Sequence, residues 1–198
     1  FREILEVICG FEEGDSEDSR RGKLERLIEL RLDRIDVHLI GQLFDLHFED
    51  SNLRYLAGDQ LRVGTFDAIR KVFAGLCSER MLVLAIENLQ HVDPNSLELA
   101  EYLLARLQGH RLLLVVTQAA DATLPFESPV PLHRLTVPPM GREEAGSFTA
   151  EMLGVATVPE SLLDRVYEAS GGNALFMKEI IAQLRREGLL RVVDDAVQ

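Results

Sequence analysis

The sequence is poor in cysteine and lysine, has no tryptophan, and contains no long apolar run. Its two cysteines form no Cys-x-x-Cys pair and share no ligand spacing with the histidines, which argues against a structural zinc site. The longest apolar runs have about six residues, whereas roughly 20 are needed to span a bilayer. No secretory signal is visible. These absences predict a cytoplasmic protein that makes no membrane contact.

Basic residues are also scarce relative to acidic ones. The 198 residues include 33 Asp and Glu but only 21 Lys and Arg, which gives a net charge of −12 at pH 7. A field of this sign repels phosphate backbones and anionic lipid surfaces. Direct nucleic-acid binding by this chain is therefore not expected. Hydrophobic residues make up 46% of the sequence, as in soluble globular domains.

The first 93 residues contain no proline, and their apolar residues recur mostly at helical spacing. This pattern predicts helices over residues 1–9, 24–35 and 37–47. Thr65 is predicted to cap a further helix, because a threonine hydroxyl can accept a hydrogen bond from the first turn. The first part of the chain is thus expected to be mainly helical.

Two apolar runs, residues 81–86 and 111–117, flank a segment with helical periodicity. Each run reads as a strand that is buried on both faces. Asp93 and Pro94 have the residue types of a helix N-cap and first helical position. A strand, a helix of about 14 residues and a second strand form a βαβ unit, so the sequence predicts a parallel sheet.

Five of the six remaining prolines lie in a segment that precedes a second group of helices. Residues 118–140 are predicted to form a loop around a short strand at 132–137. Three helices should follow, over residues 142–153, 159–170 and 174–187. Gly171 suits a left-handed C-cap and Asn173 an N-cap between the last two helices. Residues 189–193 are predicted to form an edge strand.

Polar side chains stand where both predicted strands end. Glu87 and Asn88 follow the first strand, and Thr117 ends the second. Ligands bind at this carboxyl edge in open α/β sheets. An acid at the end of an apolar strand is weak evidence by itself, since many strands end in this way without any site.

Two longer segments resemble one family of ATPases. Residues 82–106, LVLAIENLQHVDPNSLELAEYLLAR, resemble the Walker B segment of STAND-type signalling ATPases in the AAA+ superfamily of P-loop NTPases. Residues 170–184, SGGNALFMKEIIAQL, resemble the Ser-Gly-Gly-Asn-Pro-Leu-Phe segment of that family's helical lid. The family includes the ATPase modules of large LuxR-type transcription activators and those fused to adenylate cyclases or Ser/Thr kinases.

The resemblance implies an α/β fold with an incomplete P-loop NTPase-like parallel sheet flanked by helices. Residues 1–139 would form the core, with a Walker B-like strand at 81–86 and a sensor-like strand at 111–117. Residues 140–198 would form the helical lid and the start of a winged-helix-like segment. Nucleotide would lie between the sheet edge and the lid, and ATP or ADP with Mg²⁺ would be the cofactor.

The resemblance also assigns roles to individual residues. Glu87 would hold Mg²⁺, and Asn88 stands at the position that orients the attacking water. Asp93 and Thr117 would contact the nucleotide from the core. Three lid residues would contact it from the other side: Gly171, Gly172 and Asn173. The two glycines also suit a simple helix break, which is the commoner role for such a pair.

The chain departs from the family pattern at the positions that would contact the phosphates of the nucleotide. It has no G-x-x-x-x-G-K-[ST] loop, which would cradle the β- and γ-phosphates. The chain begins with Phe1, and we expect the loop upstream of this position in a longer protein. Asn88 replaces an acid, and an amide cannot accept a proton at neutral pH. Gln118 and Ala119 replace the family's Tyr-Arg pair, which removes a guanidinium.

Three functional hypotheses follow. The first is a nucleotide-dependent regulatory module in signal transduction or transcription regulation, with weak or no hydrolysis. Its partners would be other domains of the same protein, such as a kinase, cyclase, TPR or DNA-binding output domain, or further copies in a homo-oligomer. The second is a degenerate, non-catalytic scaffold for protein–protein contacts or oligomerisation. The third is an unrelated soluble α/β domain.

Overall fold

The chain divides into two units, Phe1–His133 and Arg134–Gln198. The computed structural model describes residues 1–48, 53–120, 122–124 and 128–190, and the backbone of 192–193 and 196–197. The boundary lies a few residues before position 139, where the sequence analysis placed it. The architecture is mixed α/β and mostly helical. Each unit has its own buried apolar cluster.

Five helices and a parallel pair of strands make up the described part of the first unit. Short 3₁₀ turns lie between some of them. The helices are α1 (Arg2–Cys9), α2 (Glu17–Glu25), α3 (Arg34–Gln42), α4 (Gly58–Glu79) and α5 (Pro94–Arg106), and the strands are β1 (Leu82–Ile86) and β2 (Leu112–Val116).

Two helix predictions in this unit are wrong. Helix α4 begins at Gly58, and Thr65 lies inside it, where its hydroxyl donates to the Leu61 carbonyl 2.8 Å away. The predicted helix over residues 24–35 is interrupted, because Arg31 adopts a left-handed backbone with φ of 65° after a 3₁₀ turn. Apolar spacing identified the inner face of α4, where Ile69 and Phe73 are buried, but Ile28 and Ile35 of the interrupted segment are 48% and 44% exposed.

Strands β1 and β2 are parallel, as the sequence predicts. Leu82 lies opposite Leu112, and the register continues to Ile86 opposite Val116. Helix α5 makes the crossover between them, since parallel strands cannot be joined by a tight turn. Asp93 caps this helix and Pro94 opens it.

The prediction that both strands are buried on both faces is wrong. One face, which includes Leu84, contacts the core formed by the helices. Val83 and Leu113 on the opposite face are 52% and 49% exposed. Residues alternate between the two faces of a strand, so a run of apolar residues does not itself show that both faces are covered within one unit.

The second unit contains three helices and a two-stranded antiparallel ladder. The helices are α6 (Arg142–Leu153), α7 (Glu160–Ser170) and α8 (Ala174–Arg186), close to their predicted bounds, and the strands are β3 (Val192–Val193) and β4 (Ala196–Val197). Buried side chains from all three helices form its core, among them Ala145, Val166, Met177 and Ile181.

The strand predicted at residues 132–137 does not form. None of these residues is in a strand, and Leu135 and Val137 are 91% and 89% exposed. A strand needs a neighbour to satisfy its backbone N–H and C=O groups. The apolar alternation of this segment therefore has no pairing partner in the described structure.

A buried carboxylate connects α3 to α4. Asp36 is 4% exposed and accepts hydrogen bonds from Lys71 Nζ at 2.7 Å and from the Asp33 N–H at 2.8 Å. Burial opposes the charge on Lys71, but the hydrogen bond and charge of Asp36 outweigh it and raise the pKa of Lys71. Lys71 also lies 3.7 Å from Asp67. The ion pair of Asp36 with Lys71 therefore fixes how α3 packs against α4.

We predict that Lys71→Met destabilises the protein by roughly 3 kcal/mol, because it leaves the Asp36 carboxylate buried without a counter-charge. Urea unfolding measures the change. Arg62→Met is the matched control, since the ion pair of Arg62 with Glu98 joins two exposed side chains and should cost less than about 1 kcal/mol. Equal losses in the two variants would contradict this account of the α3–α4 contact.

Candidate functional site

The candidate site lies at the carboxyl end of the parallel sheet. Because Ile86 is opposite Val116, the residues that follow them, Glu87 and Thr117, lie at the same edge. The prediction that these two residues share an edge is confirmed. Both side chains are exposed there, as is that of Asn88.

Backbone and hydroxyl groups of Thr117 hold the two strand ends together. Its N–H donates to the Ile86 carbonyl at 3.0 Å, and its carbonyl accepts from the Leu89 N–H at 2.8 Å. Its Oγ1 accepts from the Asn88 N–H at 3.1 Å. A hydroxyl that accepts one hydrogen bond still has its own hydrogen to donate. Thr117 can therefore bond a further acceptor at this edge.

Asn88 has an uncommon backbone conformation. Its φ of 53° and ψ of 52° lie in the left-handed region, which Asn and Asp enter more readily than other side-chain-bearing residues. The next residue, Leu89, is buried and fixes the 3₁₀ turn that follows. Strained conformations of this kind are frequent at functional sites. The turn leaves the Asn88 side chain exposed beside Glu87.

Of Glu87, Asn88 and Thr117, only Glu87 carries a negative charge that can attract a cation. In the described part of the chain, no cluster of three or more His, Cys, Asp or Glu side chains could hold a metal. Mg²⁺ commonly binds through one or two carboxylates, with substrate phosphates and waters as its other ligands. A single carboxylate at this edge fits a metal that arrives with a nucleotide, and does not fit a permanent metal site.

Asp93 acts as a helix cap in this structure. Its Oδ1 accepts the Ser96 N–H at 3.0 Å. Hydrogen bonds from Ser96, and a further one from the Asn95 backbone, lower the pKa of Asp93. The carboxylate therefore stabilises the first turn of α5. Its assignment to nucleotide binding stays a prediction that rests on the resemblance.

A further pair of residues near this edge was missed by the sequence analysis. Gln90 Oε1 accepts the Ala119 N–H at 3.4 Å, which links the loops that follow β1 and β2. The Oε1 atom of Gln118 is buried and has no hydrogen-bond partner among the described residues. Gln90 lies four residues beyond β1 and Gln118 two residues beyond β2. The sequence carries no signal for their contacts, because these depend on how the loops pack.

The other three predicted site residues lie in the second unit, between α7 and α8. Gly171 is the left-handed C-cap of α7, with φ of 59°. Asn173 caps α8, since its Oδ1 accepts the N–H groups of Leu175 and Phe176 at 3.0 and 3.3 Å. Both capping predictions are confirmed. The role of these residues in nucleotide binding stays a prediction.

Gly172 lies where two backbone segments meet. Its carbonyl accepts the Met140 N–H at 2.9 Å, and its N–H donates to Ser170 Oγ at 3.3 Å. A Cβ at this position would lie 2.4 Å from the Met140 carbonyl oxygen. The N–H groups of Gly171 and Asn173 are also bonded, to the carbonyls of Tyr167 and Ser170. The segment therefore connects the helices of its own unit.

No phosphate loop accompanies the site within this sequence. The pair Gly22-Lys23 lies inside α2 and is followed by Leu24, where a phosphate loop has Ser or Thr. A cavity of about 620 Å³ in the first unit lies elsewhere, next to His38, His47 and Arg54, and none of the predicted site residues line it. Among the helices that the structure describes, none is long and apolar enough to cross a membrane.

Comparison with known protein families finds a match in the second unit. A family model described as "Domain of unknown function (DUF8739)" matches residues 141–198, which include α6, α7 and α8. No curated protein matches the chain, and no solved structure matches it. The match covers much of the second unit and does not include the strand edge with Glu87.

We predict that Gly172→Ala destabilises the second unit more than Gly171→Ala does. Both glycines have positive φ, so each substitution should cost roughly 1–2 kcal/mol for the backbone alone. Only the Gly172 variant also forces its Cβ against the Met140 carbonyl, because nothing lies within 4 Å of a Cβ at Gly171. Thermal unfolding measures both. Equal losses would show that the contact with Met140 is not as close as described.

Proposed function

We propose that this chain is part of a nucleotide-dependent regulatory ATPase module of a larger cytoplasmic protein, and that it binds ATP with Mg²⁺ but hydrolyses it weakly or not at all. The observation that carries the proposal is the shared edge of Glu87, Asn88 and Thr117, with the Asn88 N–H bonded to Thr117 Oγ1. Three residue types that phosphate chemistry uses are thus brought together on two adjacent strand ends.

Each of the three residues has a distinct role in this proposal. Glu87 attracts the Mg²⁺ that accompanies the nucleotide, directly or through a bound water. The hydroxyl of Thr117 donates its free hydrogen to the terminal phosphate. The Asn88 side chain orients a water molecule by hydrogen bonding, but it cannot take the proton of that water as a carboxylate would. Binding is therefore supported better than hydrolysis.

The proposal requires phosphate contacts that this sequence does not provide. A Gly-Lys-Ser or Gly-Lys-Thr loop in the same polypeptide, upstream of Phe1, would supply backbone N–H groups and a lysine. Ala119 contributes no guanidinium to the phosphates, which lowers the expected rate further. The 198-residue chain by itself is therefore not expected to hydrolyse ATP.

When nucleotide binds, such a module changes its conformation, and other domains of the protein detect that change. The resemblance suggests a role in signal transduction or transcription regulation. The output domain would be a kinase, cyclase, TPR or DNA-binding domain of the same protein, and the protein could assemble into homo-oligomers. Gly171, Gly172 and Asn173 belong to this proposal through the resemblance alone.

The second candidate function is a non-catalytic scaffold that binds partners. Two observations favour it: an amide in place of an acid at position 88, and an Asp93 carboxylate that is already used as a helix cap. The two functions differ in one measurable property, since a scaffold of this kind would not need to bind nucleotide.

We predict that Asn88→Asp raises kcat for ATP in a protein that contains this chain together with an upstream phosphate loop. A positioned general base typically contributes 10²- to 10⁴-fold, so the gain should be roughly tenfold or more, with little change in nucleotide affinity. The left-handed backbone accommodates Asp about as well as Asn. Steady-state phosphate release and nucleotide titration measure the two quantities.

Asn95→Asp is the matched control, because it adds the same charge nearby, in the exposed first turn of α5. It should leave kcat unchanged. If the unsubstituted protein already turns over at an ordinary rate and Asn88→Asp has no effect, Asn88 is not the residue that positions the water. Absence of any nucleotide binding would favour the scaffold instead.

A further inference from the structure

The first unit contains a cavity of about 620 Å³ that the proposed nucleotide site does not use. Its described walls come from the second half of α3, the turn at residues 43–48, the 3₁₀ turn Leu53–Tyr55 and the start of α4. Sites for small molecules in proteins commonly enclose about 300–1,000 Å³. This space, which we call the α3–α4 cavity, is therefore large enough for a small organic ligand.

Aromatic and aliphatic side chains form much of the wall. The rings of His38 and Phe48 stack with their centroids 4.2 Å apart and their planes within 17° of parallel. Phe48 reaches this position because Gly41 has no side chain, since a Cβ there would lie 2.6 Å from Phe48 Cε2. Leucines complete the apolar lining, namely Leu46, Leu53, Leu56 and Leu61. Such a wall suits a flat or elongated apolar body.

Two lining side chains can donate hydrogen bonds to a ligand. The Arg54 guanidinium lies 4.9 Å from the centre of the Tyr55 ring and forms no ion pair with any residue that the structure describes. His47 Nδ1 lies 3.0 Å from the Asp45 carbonyl oxygen. Because a carbonyl only accepts, Nδ1 carries a hydrogen, and Nε2 is the ring atom left for a ligand.

The charges around the cavity select one kind of anionic group. Guanidinium groups match carboxylates particularly well, since two parallel N–H groups can bond the two oxygens. Asp45 is the one acid among the described lining residues, and its φ of 57° belongs to the turn that ends α3. Its carboxylate repels a second negative charge on a ligand. A monocarboxylate is therefore favoured over a dicarboxylate or a phosphate.

We propose that the α3–α4 cavity binds a small organic monocarboxylate with a flat or elongated apolar body. The carboxylate contacts Arg54, and the body contacts Phe48 and the four leucines. His47 Nε2 donates a further hydrogen bond when its ring is charged. The inference is independent of the proposed nucleotide function, because Glu87, Asn88 and Thr117 do not line this cavity.

Two probes with the same anionic group and different bodies test the proposal: naphthalene-2-acetate and octanoate. Each is titrated into the ¹⁵N-labelled 198-residue chain and followed by amide NMR. At least one of them should bind saturably with a Kd of about 1 mM or lower, and the shift changes should centre on lining residues such as Leu46, Phe48 and Leu61. The alcohol 2-(2-naphthyl)ethanol, which has the naphthyl body without the charge, should bind about fivefold or more weakly than naphthalene-2-acetate.

Substitution of Arg54 tests the carboxylate contact. Arg54→Gln should weaken binding of the carboxylate probe about fivefold or more, towards the affinity of the alcohol. Arg106→Gln is the matched control, because Arg106 is also exposed and lies 5.5 Å from the centre of a tyrosine ring, that of Tyr102. It should change affinity less than about twofold. Circular dichroism verifies that both variants fold.

Four results would overturn the proposal. The first is that neither carboxylate binds at about 5 mM. The second is that the alcohol binds as tightly as naphthalene-2-acetate, and the third is that Arg106→Gln weakens binding as much as Arg54→Gln. The fourth is a set of shift changes that lies away from the cavity. The second and fourth results come from the unsubstituted chain, so they test the proposal even if Arg54→Gln fails to fold.

Discussion

Parallel strands cannot be connected by a tight turn, and the shared edge of Glu87, Asn88 and Thr117 follows from this constraint. The chain must leave β1, return along α5 and enter β2 in the same direction, so both strands end at the same edge. Thr117 then joins the two ends through its backbone and its hydroxyl. Glu87 and Asn88 are exposed together because the chain turns sharply at Asn88 and buries Leu89.

The same constraint places the candidate site next to the exposed sheet face that includes Val83 and Leu113. A parallel pair of strands places its polar chemistry at one edge and requires a helical layer on each face. The described first unit supplies one such layer.

Helix caps and strand directions were predictable from the sequence, whereas the residues that pack against each helix or strand were not. Asp93, Gly171 and Asn173 cap helices as expected, because a cap depends on a few neighbouring residues. The apolar run at residues 81–86 predicted a strand correctly but not its exposed face, since burial depends on what packs against it. Residues 132–137 have the alternation of a strand and remain unpaired for the same reason. The edge shared by Glu87 and Thr117 was predictable because it follows from strand direction alone.

Mg²⁺-dependent ATP binding at the sheet edge is the central claim, and calorimetric titration of Glu87→Gln tests it most directly. The titration uses a protein that contains this chain and an upstream phosphate loop, and it is performed with and without Mg²⁺. The account predicts that Glu87→Gln weakens ATP binding roughly tenfold in the presence of Mg²⁺, as loss of a metal-positioning carboxylate does. Without Mg²⁺, the substitution should have little effect. Equal affinities of the variant and the unsubstituted protein under both conditions would contradict the assignment of this edge as the nucleotide site.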